Sequence, residues 1–136
     1  RPSRTSGIYM ADMGSSNSTP AVSDELKAEI APLEAKKVLT VADPGEFAGK
    51  EGKHVPTIAV AESKATIVVP HGMEEAHWIQ YIWAKNESGA LIGAVKLSHT
   101  DSPTLTVDVP AGTKAITAFE SCNLHGVWKT DDTPIA

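Results

Sequence analysis

The strongest constraint on the fold is a series of six short runs rich in β-branched and aromatic residues in the second half of the chain. Glycine, proline, asparagine, aspartate or serine separates each run from the next, which is typical of strands joined by turns. The runs are Thr57–Glu62, Ala65–Val69, His77–Lys85, Ala90–Leu97, Thr104–Val109 and Lys114–Glu120. This spacing predicts an all-β protein, an antiparallel β-sandwich of immunoglobulin-like size.

The third run carries apolar residues on both of its faces. With strict alternation, one face holds Ile79, Tyr81 and Trp83, and the other holds Trp78, Ile82 and Ala84. A strand with two apolar faces is central in its sheet or is buried in an oligomer.

The residues before the sandwich divide into two parts. Residues 1–22 are rich in Ser, Thr, Gly and Pro, and we expect a flexible, disordered tail. Residues 23–44 are expected to form a short helix and a linker, with Ser23 as the helix cap and a disturbance at Pro32. The apolar residues at helical spacing are Leu26, Ile30 and Leu33. The sandwich domain is then expected to occupy residues 45–136.

The charge and hydropathy of the chain exclude some classes of partner. A net charge of −5 and a pI of about 5.5 give no general attraction to nucleic acid or to an anionic membrane. No apolar run approaches the roughly 20 residues that span a bilayer, so we expect neither a membrane nor a nucleic-acid partner. A single cysteine, Cys122, excludes an intrachain disulfide.

Four of the five histidines lie in loops beside predicted strands. They are His54, His71, His77 and His125. Two residues separate Cys122 from His125, which allows one tight turn to point both side chains at a single ion. His99 has no such companion and is expected to be an ordinary histidine. At this point a shared metal site and a structural sandwich with unrelated histidines both remain open.

The number and type of these donors limit the metal. Imidazole suits iron, copper, zinc and nickel, and structural zinc usually closes at four ligands. Five donors instead suggest a square pyramid with an open sixth position. The alternative is a cupredoxin-like, metal-binding electron-transfer protein, although its weak axial methionine is expected after the cysteine. All three methionines here, Met10, Met13 and Met73, precede Cys122.

Three segments in order, "KHVPTI", "PHGMEEAHWIQYIW" and "CNLHGVWK", resemble the iron-binding domain of superoxide reductases (the desulfoferrodoxin family). The resemblance implies an immunoglobulin-like sandwich that holds one mononuclear non-haem iron, cycling between Fe2+ and Fe3+. It also implies reduction of superoxide to hydrogen peroxide, an oxidoreductase activity that detoxifies superoxide under oxidative stress. The implied ligands are His54, His71, His77 and His125 in the equatorial plane and Cys122 on the axis.

Two further residues acquire roles from the same resemblance. Lys53 corresponds to a lysine beside the open site, where it would steer superoxide and assist proton delivery. Glu51 corresponds to a glutamate that binds the sixth position of ferric iron. In the family this glutamate usually precedes the lysine directly, whereas Gly52 intervenes here, so the reach of Glu51 to the iron is in question. Gly72 stands where proline is common.

The resemblance also implies partners and a subclass. Residues 1–53 contain no cysteine, so the four-cysteine iron module of two-iron relatives is absent from them, as in the one-iron, neelaredoxin-like class. Members of that class often form homotetramers and commonly receive electrons from a rubredoxin. We expect a cytoplasmic protein, with export or organellar import left open because the chain starts Arg-Pro-Ser-Arg.

Overall fold

The computed structural model describes residues 22–135, so residues 1–21 of the predicted tail and residue 136 lie outside the described part. The strands are β1 Val38–Leu39, β2 Thr57–Ala61, β3 Lys64–Val68, β4 Ile79–Asn86, β5 Leu91–Lys96, β6 Thr104–Asp108, β7 Ala115–Cys122, β8 Gly126–Lys129 and β9 Thr133–Pro134. The helices are α1 Asp24–Glu34 and α2 Glu51–His54, with a 3₁₀ turn at Gly45–Phe47 between them. Within this part, no helix is long and apolar enough to cross a membrane.

The strands form two sheets. The larger sheet has the order β1-β8-β7-β4-β5, with β9 also pairing with β7, and the smaller sheet has the order β2-β3-β6. All pairs are antiparallel except β1 with β8. The predicted all-β sandwich with a short N-terminal helix is therefore confirmed. The six predicted runs became β2 to β7, whereas β1, β8 and β9 were missed.

The main core lies between the two sheets. Ile67 and Val107 of the smaller sheet pack with Ile79, Ile82 and Ile116 of the larger sheet, and all five are fully buried. Each of these side chains contributes roughly 1.5–3 kcal/mol through burial. This core holds β3, β4 and β7 in fixed positions, and the segments that follow these strands carry the candidate ligands.

The predicted face assignment of β4 is wrong at its first residue. Ile79 packs with Ile82 in the inter-sheet core, whereas strict alternation placed it with Tyr81 and Trp83. The cause is a β-bulge: Ile79 pairs with Cys122 but Tyr81 already pairs with its neighbour in β7, so Gln80 is an extra residue. One inserted residue reverses the face of everything before it. The sequence showed no glycine that marks such a bulge.

Helix α1 covers the outer face of the larger sheet. Its Ile30 is buried against Trp83 and Val127, and Trp83 donates a hydrogen bond from Nε1 to Glu34 at 3.0 Å. The second apolar face of the central strand β4 is thus covered by this chain's own helix rather than by another subunit. The cap at Ser23 is confirmed, because its side chain accepts from Leu26 N–H at 3.1 Å.

The predicted disturbance at Pro32 does not end α1, because the helix continues to Glu34. Proline removes one backbone donor from the helix. The docked face of α1, on both sides of this residue, compensates for that loss. The division of the chain into a helix-and-linker part, 23–44, and a sandwich domain, 45–136, stays a prediction.

We expect Ile30→Ala to lower the free energy of unfolding by about 2–4 kcal/mol, because it leaves a cavity between α1 and the sheet. Chemical denaturation measures this change. Lys27→Ala, on the exposed face of the same helix, is the matched control and should change stability by less than about 0.5 kcal/mol. Equal effects of the two substitutions would mean that α1 is not docked on the sheet.

Candidate metal centre

The structure brings together the five residues predicted as metal ligands. One donor atom from each of His54, His71, His77, Cys122 and His125 lies within 4.8 Å of all the others. His54 ends α2, His71 and His77 lie between β3 and β4, Cys122 ends β7, and His125 lies in the turn before β8. His99 lies outside the cluster and contacts Trp78, as expected for an ordinary histidine.

The imidazole nitrogens form a closely spaced ring. His71 Nε2 is 3.1 Å from His77 Nε2, which is 3.1 Å from His125 Nδ1. His125 Nδ1 is in turn 3.2 Å from His54 Nε2. Metal–imidazole bonds of about 2.1 Å place neighbouring nitrogens of a square about 3.0 Å apart. The spacing therefore fits four imidazoles around one ion.

The sulfur and the opening of the site lie on different sides of this ring. A surface pocket of about 560 Å³ is lined by all four histidines, together with Gly49, Lys50, Gly52 and Lys53. Cys122 does not line this pocket and is only 4% exposed. The arrangement matches the predicted square pyramid, with the sulfur on the protein side and an open face toward solvent.

Hydrogen bonds to the backbone fix which nitrogen of two histidines can bind a metal. His54 donates from Nδ1 to the Lys50 carbonyl at 2.9 Å, and His71 donates from Nδ1 to the Gly72 carbonyl. A carbonyl only accepts, so the proton is on Nδ1 and the Nε2 lone pair faces the cluster. His54 also stacks on Trp128, with ring centroids 5.5 Å apart.

Asn123 joins the loop that carries His77 to the turn that carries Cys122. Its side chain accepts from Trp78 N–H at 2.9 Å and donates to the Ala76 carbonyl at 3.0 Å. Asn123 N–H also donates to the Trp78 carbonyl at 3.2 Å. These three bonds hold the residues on either side of His77. Sequence reasoning gave Asn123 only a place inside the Cys-to-His turn and missed this role.

The turn from Cys122 to His125 directs backbone donors at the sulfur. The N–H groups of Leu124 and His125 hydrogen-bond to Cys122 Sγ. The sequence analysis offered no such contact, and the Asn123 N–H is committed to Trp78 instead. Two N–H donors aimed at one sulfur favour its thiolate form and reduce the electron density that it donates.

His125 is held from behind by an aromatic residue and a glycine. Its carbonyl accepts from Trp128 Nε1–H at 2.8 Å, and its ring meets the edge of Phe47 at 5.4 Å. Gly126 follows with φ +82°, a conformation that side chains rarely adopt. A Cβ there would also lie 3.5 Å from Phe47. This glycine allows β8 to begin directly after His125.

Burial sets the protonation of the cluster before any ion binds. Desolvation lowers the pKa of His54 to about 4, and it also lowers the pKa values of His71 and His125. These imidazoles are therefore neutral at pH 7, which is the form that binds metal cations. Desolvation raises the pKa of Cys122, so its thiol gives up its proton only when a cation replaces it.

The buried Glu120 was missed by sequence reasoning. It is fully buried in β7, and neither carboxylate oxygen has a hydrogen-bond partner among the described residues. Burial raises the pKa of this carboxyl well above its usual range. The signal was present, because Ile116, Ala118 and Glu120 alternate on the face of β7 that carries Cys122.

The structure separates the two residues predicted beside the open site. Lys53 lines the pocket and its charge lowers the pKa of His71, although burial is the larger cause. Glu51 begins α2 and is not among the residues that line the pocket. Lys50, which the sequence analysis overlooked, does line it. Its signal was its position one helical turn before Lys53.

The cluster and fold define a metal-binding β-sandwich with one cysteine and four histidine donors. A family model described as desulfoferrodoxin matches residues 46–131, and the chain belongs to this family. A desulfoferrodoxin from Nitratidesulfovibrio vulgaris is 34% identical over 90 residues, which cover 64% of this chain and 68% of that protein.

Solved structures agree with this assignment. The superoxide reductase from Treponema pallidum is 30% identical, with a TM-score of 0.54 over 62% of this chain and 69% of that one. A superoxide reductase (neelaredoxin) from Ignicoccus hospitalis is 25% identical, with a TM-score of 0.58 over 73% of this chain and 94% of that one.

Iron is the metal that fits the family and the donor set together. The predicted family membership is confirmed, and the predicted iron cofactor agrees with it. The cupredoxin alternative is not favoured. Met73, the one methionine in the described residues, packs against the inter-sheet core, and its sulfur accepts from Ile79 N–H at 3.4 Å.

We expect acid to destabilise the metal-free protein through His54. Its pKa is about 4 in the folded state and 6.5 in the reference state, so the unfolded chain binds more protons between these values. Stability should therefore fall by up to about 3 kcal/mol between pH 6.5 and pH 4 on account of this residue.

The measurement is urea unfolding of the metal-free wild type and of His54→Gln across this pH range. The carboxyl of Glu120, whose pKa is raised by burial, titrates in the opposite sense, but it is present in both proteins and cancels in their difference. Parallel stability profiles for the two proteins would contradict the buried, neutral state of His54.

Proposed function

We propose that the chain is a superoxide reductase, which reduces superoxide to hydrogen peroxide at a mononuclear iron. The observation that carries this proposal is the two-sided cluster: four neutral imidazoles face an open pocket, and Cys122 lies behind them. The proposed ligands are His54, His71, His77 and His125 in the plane and Cys122 on the axis. The relatives named superoxide reductases support the same reading.

The open face favours a small anion. Neutral imidazoles leave most of the charge of a bound iron uncompensated on the pocket side. Lys53 adds a positive charge at the pocket wall, although the chain as a whole carries −5. Because the remote field repels superoxide, local cations must supply the attraction. Lys53 is thus proposed to steer the substrate and to orient water for proton delivery.

The sulfur side has a different task. Bound iron supplies the one electron that reduces superoxide, and its ferric form is later reduced by a donor protein. The Cys122 thiolate donates electron density from the side opposite the pocket, which favours electron transfer and release of peroxide. The N–H groups of Leu124 and His125 moderate that donation. Water reaches the open pocket and provides the two protons that peroxide needs.

Glu51 is proposed as the sixth ligand of the ferric state. It does not line the pocket, so this role requires the start of α2 to move. Gly52 and Gly49 supply the backbone freedom for such a movement, and Gly49 already has a φ of +94°. The extra glycine between Glu51 and Lys53 therefore changes the path of the carboxylate without excluding its arrival.

The partners and location follow from the resemblance to one-iron relatives. We propose a rubredoxin-like electron donor, a homotetrameric assembly and a cytoplasmic location. The one cysteine of the chain is already assigned to the proposed centre, which leaves electron delivery to a separate protein. Gel filtration with light scattering tests the assembly directly.

The activity is tested by product stoichiometry. We expect the reduced, iron-loaded protein to form one hydrogen peroxide per superoxide consumed and to release no dioxygen. Stopped-flow or pulsed radiolysis, with an oxygen electrode and a peroxide assay, measures these quantities. Half a peroxide per superoxide, together with dioxygen release, would identify a dismutase instead.

Cys122→Ser tests the axial assignment. We expect the variant to lose the thiolate-to-ferric charge-transfer band and more than about 90% of the reductase activity, because a hydroxyl donates far less electron density than a thiolate. Visible spectra and superoxide kinetics measure both effects at matched iron content. Ser121→Ala, one residue earlier, is the control and should keep the band. Retention of the band in Cys122→Ser would remove Cys122 from the ligand set.

A further inference from the structure

The pocket over the cluster is flanked by two lysines. Lys50 and Lys53 both line it, on the turn that leads into His54. The Lys50 carbonyl accepts from Lys53 N–H at 3.2 Å and from His54 Nδ1 at 2.9 Å. Backbone bonds thus fix the relative positions of the two lysines and of a proposed ligand. Both side chains extend from a held backbone at the pocket wall.

The two ammonium groups act on opposite corners of the imidazole ring. The charge of Lys53 is felt at His71, and the charge of Lys50 is felt at His125. His71 and His125 are each 3.1 Å from His77 through their ring nitrogens, so they lie across the ring from one another. The lysines therefore approach the open face from different sides.

The two corners differ in their balance of charge. Glu74 lines a smaller pocket with Lys53 and His71, and its carboxylate opposes the lysine charge felt at His71. No aspartate or glutamate is among the described residues that line the main pocket, where Lys50 lies. The side of the ring near His125 is therefore more positive than the side near His71.

We propose that Lys50 is a second positioning cation of the site, which draws anions to the open face from the side of His125. The inference rests on the proposed function, because superoxide is the anion that this field would serve. An ammonium at this distance acts mainly through its Coulomb field, which water and salt screen. Lys50 thereby offsets the net charge of −5 on the path that Glu74 does not oppose.

Azide binding to the ferric, iron-loaded protein tests the proposal without turnover. We expect Lys50→Met to weaken azide binding and to slow superoxide capture by roughly three-fold at low ionic strength, as expected for one partly solvated charge. Both effects should fade as salt rises toward 0.5 M. Lys50→Arg should restore both. Glu74→Gln should strengthen azide binding, because it removes the opposing carboxylate.

Lys114→Met is the matched control. It makes the same change in net charge, but Lys114 directly precedes β7 whereas Cys122 ends this eight-residue strand, so they lie at opposite ends of the sheet. We expect it to leave azide affinity and the salt dependence unchanged. Iron content and unfolding midpoints, measured for every variant, separate an electrostatic effect from a structural one.

The outcomes separate this inference from the proposed function. If Lys50→Met and Lys114→Met bind azide with equal affinity and equal salt dependence, Lys50 has no steering role, whatever the activity. If the wild type does not reduce superoxide, the proposed function fails, and the azide comparison still decides whether Lys50 attracts anions. A loss in Lys50→Met that persists at high salt would also contradict the proposal, because a Coulomb field is screened.

Discussion

The constraint on which the site depends is the close approach of imidazole nitrogens whose lone pairs face one another. Three adjacent pairs are 3.1–3.2 Å apart, and backbone carbonyls hold the protons of His54 and His71 on the outer nitrogens. Such an arrangement is unfavourable without a cation at its centre. The sandwich core and the Asn123 hydrogen bonds hold four separate segments in this arrangement. Metal binding converts that repulsion into coordination.

The chemistry of the site follows from its two unlike sides. Behind the ring, Cys122 and Glu120 are buried, and burial disfavours their charged forms. In front, Lys50 and Lys53 stand at an open pocket. A bound ion therefore meets an electron-rich sulfur on one side and a positive, wet surface on the other. An anion that accepts an electron and leaves after protonation suits this asymmetry.

Much of the fold and the donor set were predictable from the sequence. Alternating apolar residues gave the six longest strands after α2, and the spacing of histidines around Cys122 indicated the metal site. The rest depended on information that a local pattern does not carry. The bulge at Gln80 became visible only from its pairing with β7, and the two-residue strand β1 is defined only by its partner β8.

Residues around the site show the same limit. The second hydrogen-bonding role of Asn123 depends on a loop far away in sequence, and the contribution of Lys50 depends on which side chains line the pocket. Glu51 shows the converse, since its predicted role came from resemblance and its position lies outside the pocket lining. Motifs therefore identified the ligands, whereas three-dimensional packing identified the residues that orient and charge them.

Iron K-edge X-ray absorption of the iron-loaded protein tests the central claim most directly. The account predicts one sulfur neighbour and four nitrogen neighbours with the multiple-scattering pattern of imidazole. Replacement of Cys122 by serine should remove the sulfur shell and leave the imidazole pattern. A first shell of nitrogen and oxygen alone in the wild type would contradict the four-histidine, one-cysteine centre and the mechanism built on it.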